Sequence, residues 1–130
     1  MAKITASIGT ELYKTEIKTI GNTIIADEPK EFGGNDLGFA PKELLASALG
    51  ACTAITLRMY ADRKGWNLTE SKVEVTFEWD QENSTSIINR NISLFGTLDD
   101  SQRERLLKIA NSCPIHKILT NPIEIETLLD

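Results

Sequence analysis

Basic residues are the minority in this 130-residue chain: 14 Lys and Arg stand against 19 Asp and Glu, for a formal charge of -5. No basic field exists to hold a phosphate backbone, which argues against a nucleic-acid partner. Histidine occurs once, as His116, and cysteine twice, as Cys52 and Cys113. One chain therefore cannot supply the four Cys and His ligands of a structural zinc site, and neither a metal nor another cofactor is expected. A long apolar run is missing as well. The opening Met1-Ala2-Lys3-Ile4-Thr5 lacks the apolar core of a signal peptide, and charge-free stretches elsewhere fall short of the about 20 residues a bilayer demands. The expected setting is the cytoplasm, with no membrane partner. In that reducing compartment two cysteines are poor candidates for a structural staple, so they are read as chemistry or as core.

What is present is one domain's worth of patterned chain, residues 1–130. Three short β-type runs, residues 4–8, 13–20 and 23–26, are separated by Gly9 and by Gly21-Asn22, a hairpin signal. Residues 27–40 read Asp-Glu-Pro and then Gly33-Gly34-Asn35-Asp36-Leu37-Gly38, a loop long enough to be functional or a flexible connector. Pro41 opens a helix at a position where proline costs nothing, and the helix runs to Lys64 before Gly65 stops it. Residues 44–57 carry no charge, and Leu44, Leu45, Leu49, Cys52, Ile55 and Leu57 point all around the axis. Such a helix is expected to be buried on every side, beneath a sheet or against a second copy of the chain.

Beyond Trp66, Val73, Val75, Phe77 and Trp79 alternate with charged and polar residues, an amphipathic strand whose apolar face should cover the helix. The turn Glu82-Asn83-Ser84 leads to a second strand in which Ile88, Arg90, Ile92 and Leu94 share a face. Asp99 and Gln102 form a capping-box pair for a helix with the stripe Leu106, Ile109, Ala110 and Cys113. Pro114 interrupts, residues 115–119 form another turn, and residues 123–129 alternate like a final strand. This order gives an α+β fold with antiparallel sheet rather than a parallel βαβ stack. The glycines of the loop match neither phosphate-binding spacing. Arg90, set among aliphatics, needs an anion such as Asp27, Glu28, Glu43 or the Cys52 thiolate, or a route to solvent at the sheet's end.

Pro41-Lys42-Glu43-Leu44-Leu45-Ala46-Ser47-Ala48-Leu49-Gly50-Ala51-Cys52-Thr53, with Cys113-Pro114-Ile115-His116-Lys117 downstream, resembles the OsmC/Ohr family of osmotically inducible and organic hydroperoxide resistance proteins. Asp27-Glu28-Pro29, Gly33-Gly34 and the stretches 58–65 and 120–129 extend the resemblance over nearly the whole chain. It implies an intertwined homodimer, with an antiparallel curved sheet packed on a buried central helix. It also implies reduction of hydroperoxides, organic ones above all, through two cysteines and a thiol reductant. In that chemistry a thiolate opens the O–O bond, and a second thiol converts the sulfenic acid to a disulfide. The family pattern makes Cys52 the attacking thiol and Cys113 the resolving one. Local electrostatics points the other way, because Cys113 precedes Pro114 at a candidate N-cap, with His116 within a turn, whereas Cys52 sits in mid-helix. His116 is then a base, a donor to sulfur, or simply a turn residue.

Two departures from the family pattern matter. The family's glutamate directly follows the proline, a position held here by Lys42. Glu43 comes one step later, nine residues before Cys52 and, at about 100° per residue, on the opposite side of the helix. Glu43 is thus either a site acid or a first-turn acid that complements the helix dipole. The family's N-terminal arginine has no counterpart, since no arginine precedes Arg58. Arg90 is the candidate replacement, a planar fork able to hold a peroxide oxygen and stabilise a thiolate. Three functions stay open: a thiol-dependent peroxidase, a non-catalytic redox or interaction protein, and a hot-dog-type acyl-thioester enzyme, the last without a convincing acid beside its helix.

Overall fold

A computed structural model describes residues 1–130, which divide into two compact units, Met1–Leu45 and Ala46–Asp130. The first unit carries a three-stranded antiparallel sheet of β1 (Thr5–Ile8), β2 (Thr15–Lys18) and β3 (Thr23–Ala26), in that order. The Gly21-Asn22 turn is where the sequence put it, closed by the Thr19 N–H donating to the Asn22 carbonyl at 2.9 Å.

The loop after β3 is neither a loose connector nor a nucleotide cradle. Asp27 is buried, and its carboxylate accepts backbone N–H bonds from Tyr13 (3.0 Å) and Glu28 (2.7 Å) on one oxygen and from Asn35 (3.2 Å) and Leu37 (3.1 Å) on the other. Burial pushes this carboxyl up, but the four N–H groups outweigh burial and hold it below the ordinary carboxylate value. The glycines serve this closure. A Cβ on Gly34 would stand 2.0 Å from the Glu28 carbonyl oxygen, so only glycine lets the chain fold back this tightly.

The long helix α1 (Pro41–Lys64) has the bounds its caps announce. Gly65, at φ 69°, ends it, with its own N–H on the Asp62 carbonyl and the Trp66 N–H on that of Ala61. In the second unit, strands β4 (Asn67–Asp80) and β5 (Thr85–Thr97) form a long antiparallel hairpin, followed by α2 (Asp100–Ala110) and α3 (Pro114–Leu119). The capping box is present: Asp99 accepts the Gln102 N–H at 2.8 Å, and Gln102 accepts the Asp99 N–H at 2.9 Å. The core is Leu57, Ala61, Leu68, Leu106 and Ala110, flanked by Tyr60, Trp66, Ile92 and Leu94. The α+β class with antiparallel pairing is thus realised as two sheets, one in each unit.

Two expectations need correction, and that for α1 is met by this chain on one side only. Burial of α1 is one-sided: Leu49, Thr53, Leu57 and Ala61, spaced four apart, are buried, while Ile55 and Met59 are 53% and 63% exposed. The sequence pattern shows that every face of α1 is apolar, but the β4–β5 hairpin and α2 cover only one of them. Residues 123–129 do not form a strand, because no neighbouring strand offers them hydrogen bonds, and Ile125 and Leu129 are exposed. Trp79, expected on the covered face of β4, is exposed near the hairpin's tip. By length and hydropathy alone α1 is long and apolar enough to cross a membrane. Its inner stripe nevertheless belongs to the core, and Arg58 near its end is tied to Asp62 and the Leu68 carbonyl.

Candidate active site

Three elements of the second unit converge on Cys113. The capping-box helix α2 ends at Ala110, and a tight turn brings Cys113, wholly buried, to the position just before Pro114 opens α3. Pro114 has no N–H to give, and the His116 amide, one turn in, donates to the Cys113 Sγ at 3.3 Å. From α1, the buried Thr53 hydroxyl lies 3.9 Å from the same sulfur and 2.7 Å from the Leu49 carbonyl. Cys52, half-buried, lies close enough for its side chain to act on the Cys113 thiol; both cysteines are free. Burial raises the Cys113 thiol, yet the His116 N–H, the Cys52 and Thr53 side chains and the Ile115 N–H together hold it below the ordinary thiol value.

The third element is β5. Strand alternation sets Arg90 on the same half-buried face as Ile88 and Ile92, directly across from Val75 on β4, which α1 approaches at Gly50. None of the acids considered as its partner is bonded to the guanidinium in this unit. Instead Nη1 donates to Thr53 Oγ1 (2.9 Å) and the Ala110 carbonyl (3.2 Å), while Nη2 donates to Asn111 Oδ1 (2.7 Å) and meets His116 Nδ1 at 3.2 Å. A guanidinium only donates, so Nδ1 must accept, which puts the imidazole proton on Nε2. Asp27, one suggested partner, has its carboxylate taken up by four amides.

Of the residues named from sequence, Cys52, Cys113 and Arg90 thus come together, Arg90 through Thr53. Glu43 belongs to the other unit, where its Oε1 accepts the Ala40 N–H at 2.8 Å, the reach of an N3 glutamate back to a helix's cap. His116 proves more than a turn residue. Thr53 and Asn111 were missed by sequence reasoning. Thr53 left a signal, a hydroxyl on the helical stripe of Leu49, Leu57 and Ala61 where every neighbour is aliphatic. Asn111, just past α2, left none. No group of three or more His, Cys, Asp or Glu side chains is arranged to hold a metal ion. Chemically, the arrangement is a dithiol whose deeper sulfur accepts from the His116 N–H and the Thr53 hydroxyl and whose shallower sulfur lies beside it.

A sequence profile of the OsmC-like proteins matches residues 33–128. Among solved structures, the chain is similar to an osmotic stress induced and detoxification response protein from Psychrobacter arcticus 273-4, at 23% identity and TM-score 0.78, covering 91% of this chain and 88% of that one. An OsmC-like protein from Mycoplasma pneumoniae gives 21% identity and TM-score 0.78, with 91% and 86% covered. The organic hydroperoxide resistance protein OhrB of Bacillus subtilis gives 22% identity and TM-score 0.62, with 91% and 89% covered. At these identities the structural likenesses speak to the fold. No curated protein matches.

Proposed function

The chain belongs to the OsmC-like family, and from that premise we propose that it detoxifies peroxides in the cytoplasm as a thiol-dependent hydroperoxide reductase cycling through a Cys52–Cys113 disulfide. The observation that carries this reading is a pair of free thiols in which the Cys113 sulfur accepts the His116 N–H at 3.3 Å and lies within reach of the Cys52 side chain. Access and acidity are divided between the two. Cys113 is wholly buried, so a hydroperoxide meets the half-buried Cys52 first, and the family order of attack is favoured over the one local electrostatics suggested. The Cys113 thiolate takes the Cys52 proton. The Cys52 thiolate then attacks the outer peroxide oxygen, the O–O bond breaks, and the alcohol leaves with the proton from Cys113. The Cys113 thiolate next attacks the Cys52 sulfenic acid and displaces hydroxide, which water-borne protons neutralise. A thiol reductant returns both sulfurs to the start.

Arg90 in this reading is a positioning residue, acting on Cys113 through Thr53. Glu43 is retained only as an acid of the first helical turn. A homodimer is part of the proposal, because Ile55 and Met59 on α1 and the apolar tail around Ile125 and Leu129 are exposed in the single chain. The decisive experiment follows consumption of cumene hydroperoxide and of hydrogen peroxide with dithiothreitol as reductant. Turnover, faster for the organic peroxide, is expected from the aliphatic surroundings of Cys52. One equivalent should also lower the intact mass by two hydrogens, and Cys52→Ser should abolish both effects. Stable sulfinic acid without a disulfide would overturn the two-thiol cycle. A redox or interaction protein without turnover is the second reading, favoured by one observation: the Arg90 guanidinium is occupied by protein acceptors.

A further inference from the structure

The two sulfurs are unequal in ways that bear on how a disulfide between them is opened. Cys52 is half-buried on α1, whose outer face, with Ile55 and Met59, is exposed, whereas Cys113 is buried completely. Every hydrogen bond donated to sulfur in this cluster goes to Cys113: the His116 N–H at 3.3 Å and the Thr53 hydroxyl at 3.9 Å. The Thr53 oxygen in turn accepts from Arg90, so a positive charge stands one hydroxyl behind that sulfur. In thiol–disulfide exchange the sulfur attacked is decided by access, and the sulfur expelled departs faster the better its anion is stabilised.

We propose, resting on the disulfide cycle above, that the thiol reductant enters at Cys52 and that Cys113 is the leaving thiolate, received by the His116 amide and the Thr53 hydroxyl. A reductant thiolate forms an S–S bond to Cys52 Sγ. The Cys52–Cys113 bond breaks with its electron pair on Cys113, and no proton is needed at that instant. A second thiol of the reductant then attacks the mixed disulfide, and the Cys52 thiolate it releases takes up a proton. Thr53 serves this step without touching the reductant. Its single proton lies on the Leu49 carbonyl or turns to sulfur when Cys113 becomes an anion, while Arg90 holds its lone pair.

The test begins with the full chain oxidised by diamide, which needs no peroxidase activity. Glutathione is added below one equivalent, the mixture is acid-quenched within seconds, free thiols are capped with N-ethylmaleimide, and tryptic peptides 43–58 and 109–117 are mapped. Glutathione on 43–58 with maleimide on 109–117 is the expected result; glutathione on 109–117, or evenly on both, overturns the proposal. Failure of any disulfide to form would overturn the parent cycle along with it, so the two failures are distinguishable. Thr53→Val should slow reduction of the disulfide, on the order of threefold, and shift the pH midpoint of Cys113 alkylation upward. Thr53→Ser should restore both, and an unchanged midpoint in Thr53→Val would remove Thr53 from the step.

Discussion

Arg90→Met tests whether the guanidinium is the tie that holds the thiol cluster together. The substitution keeps the aliphatic stem against the half-buried face of β5 and deletes the donors to Thr53, Ala110, Asn111 and His116. The four losses are not equal. Asn111 and His116 can turn to water, and Thr53 keeps its bond to the Leu49 carbonyl, so its oxygen loses a donor but not every partner. The Ala110 carbonyl, on a fully buried residue at the end of α2, keeps the long bond from the Cys113 N–H at 3.4 Å. A bond from a charged donor contributes about 1.5–3 kcal/mol, and neither buried group, the Thr53 hydroxyl nor the Ala110 carbonyl, is left without a partner. Discounting for the part-exposed guanidinium, the expected loss is about 1–3 kcal/mol, or on the order of 5 °C in Tm for a domain of this size. Urea and thermal unfolding followed by circular dichroism measure it. Arg90→Lys keeps the charge but replaces the fork by a point ammonium that cannot span acceptors on α1, α2 and α3, so it should lie nearer to Arg90→Met than to the native chain. Tm values within about 2 °C of the native chain for both variants would refute the account of Arg90 as a three-helix tie.

Further expectations concern charge and assembly. The Asp27 carboxyl is held below its ordinary value in the fold, so it stabilises above the unfolded value, and that contribution is lost as pH falls through the folded one. Asp27→Asn, which turns two acceptor sites into donors facing N–H groups, should destabilise at neutral pH and flatten the acid limb of the stability curve; an unchanged acid limb would contradict the hub. For Cys113 the sign is the same in the alkaline window: thiolate stabilisation is fully present above the unfolded thiol value and fades as pH falls through the lowered folded one. Cys113→Ser should remove that pH dependence, which denaturant midpoints between neutral and mildly alkaline pH would reveal. Light scattering should give a dimer for the native chain, and Ile55→Glu, on the exposed face of α1, should dissociate or unfold it; a folded native monomer at micromolar concentration would sink the assembly proposal.

Local signals in the chain carried most of the fold. Pro41 and Gly65 bracket α1, Asp99 and Gln102 start α2, and the alternation through β4 and β5 set Arg90 on its covered face, because caps and period-two patterns act over a few residues. What failed was non-local. The one-sided burial of α1 could not be read because an apolar residue looks the same whether this chain or another covers it. The strand expected at residues 123–129 had its alternation but no partner. Loop 27–40 showed its glycines without showing why, since the reason is one carboxylate collecting amides from positions as far apart as Tyr13 and Leu37.

The site was legible by residue type and illegible by contact. Cys52, Cys113 and Arg90 announce chemistry in any sequence, whereas Thr53 shows only a hydroxyl out of place on an aliphatic stripe until α1 is laid across the strand that carries Arg90. That placement also decides what Arg90 can do. A guanidinium wholly given to the sulfur would fix Cys113 as a permanent anion, and one given to solvent would not reach it. Held through a hydroxyl that has a second acceptor at Leu49, its charge reaches the sulfur when Thr53 turns and is relaxed when it turns back. A cycle in which Cys113 must in succession be base, acid, nucleophile and leaving group needs that adjustability, which a direct Arg–thiolate pair would remove.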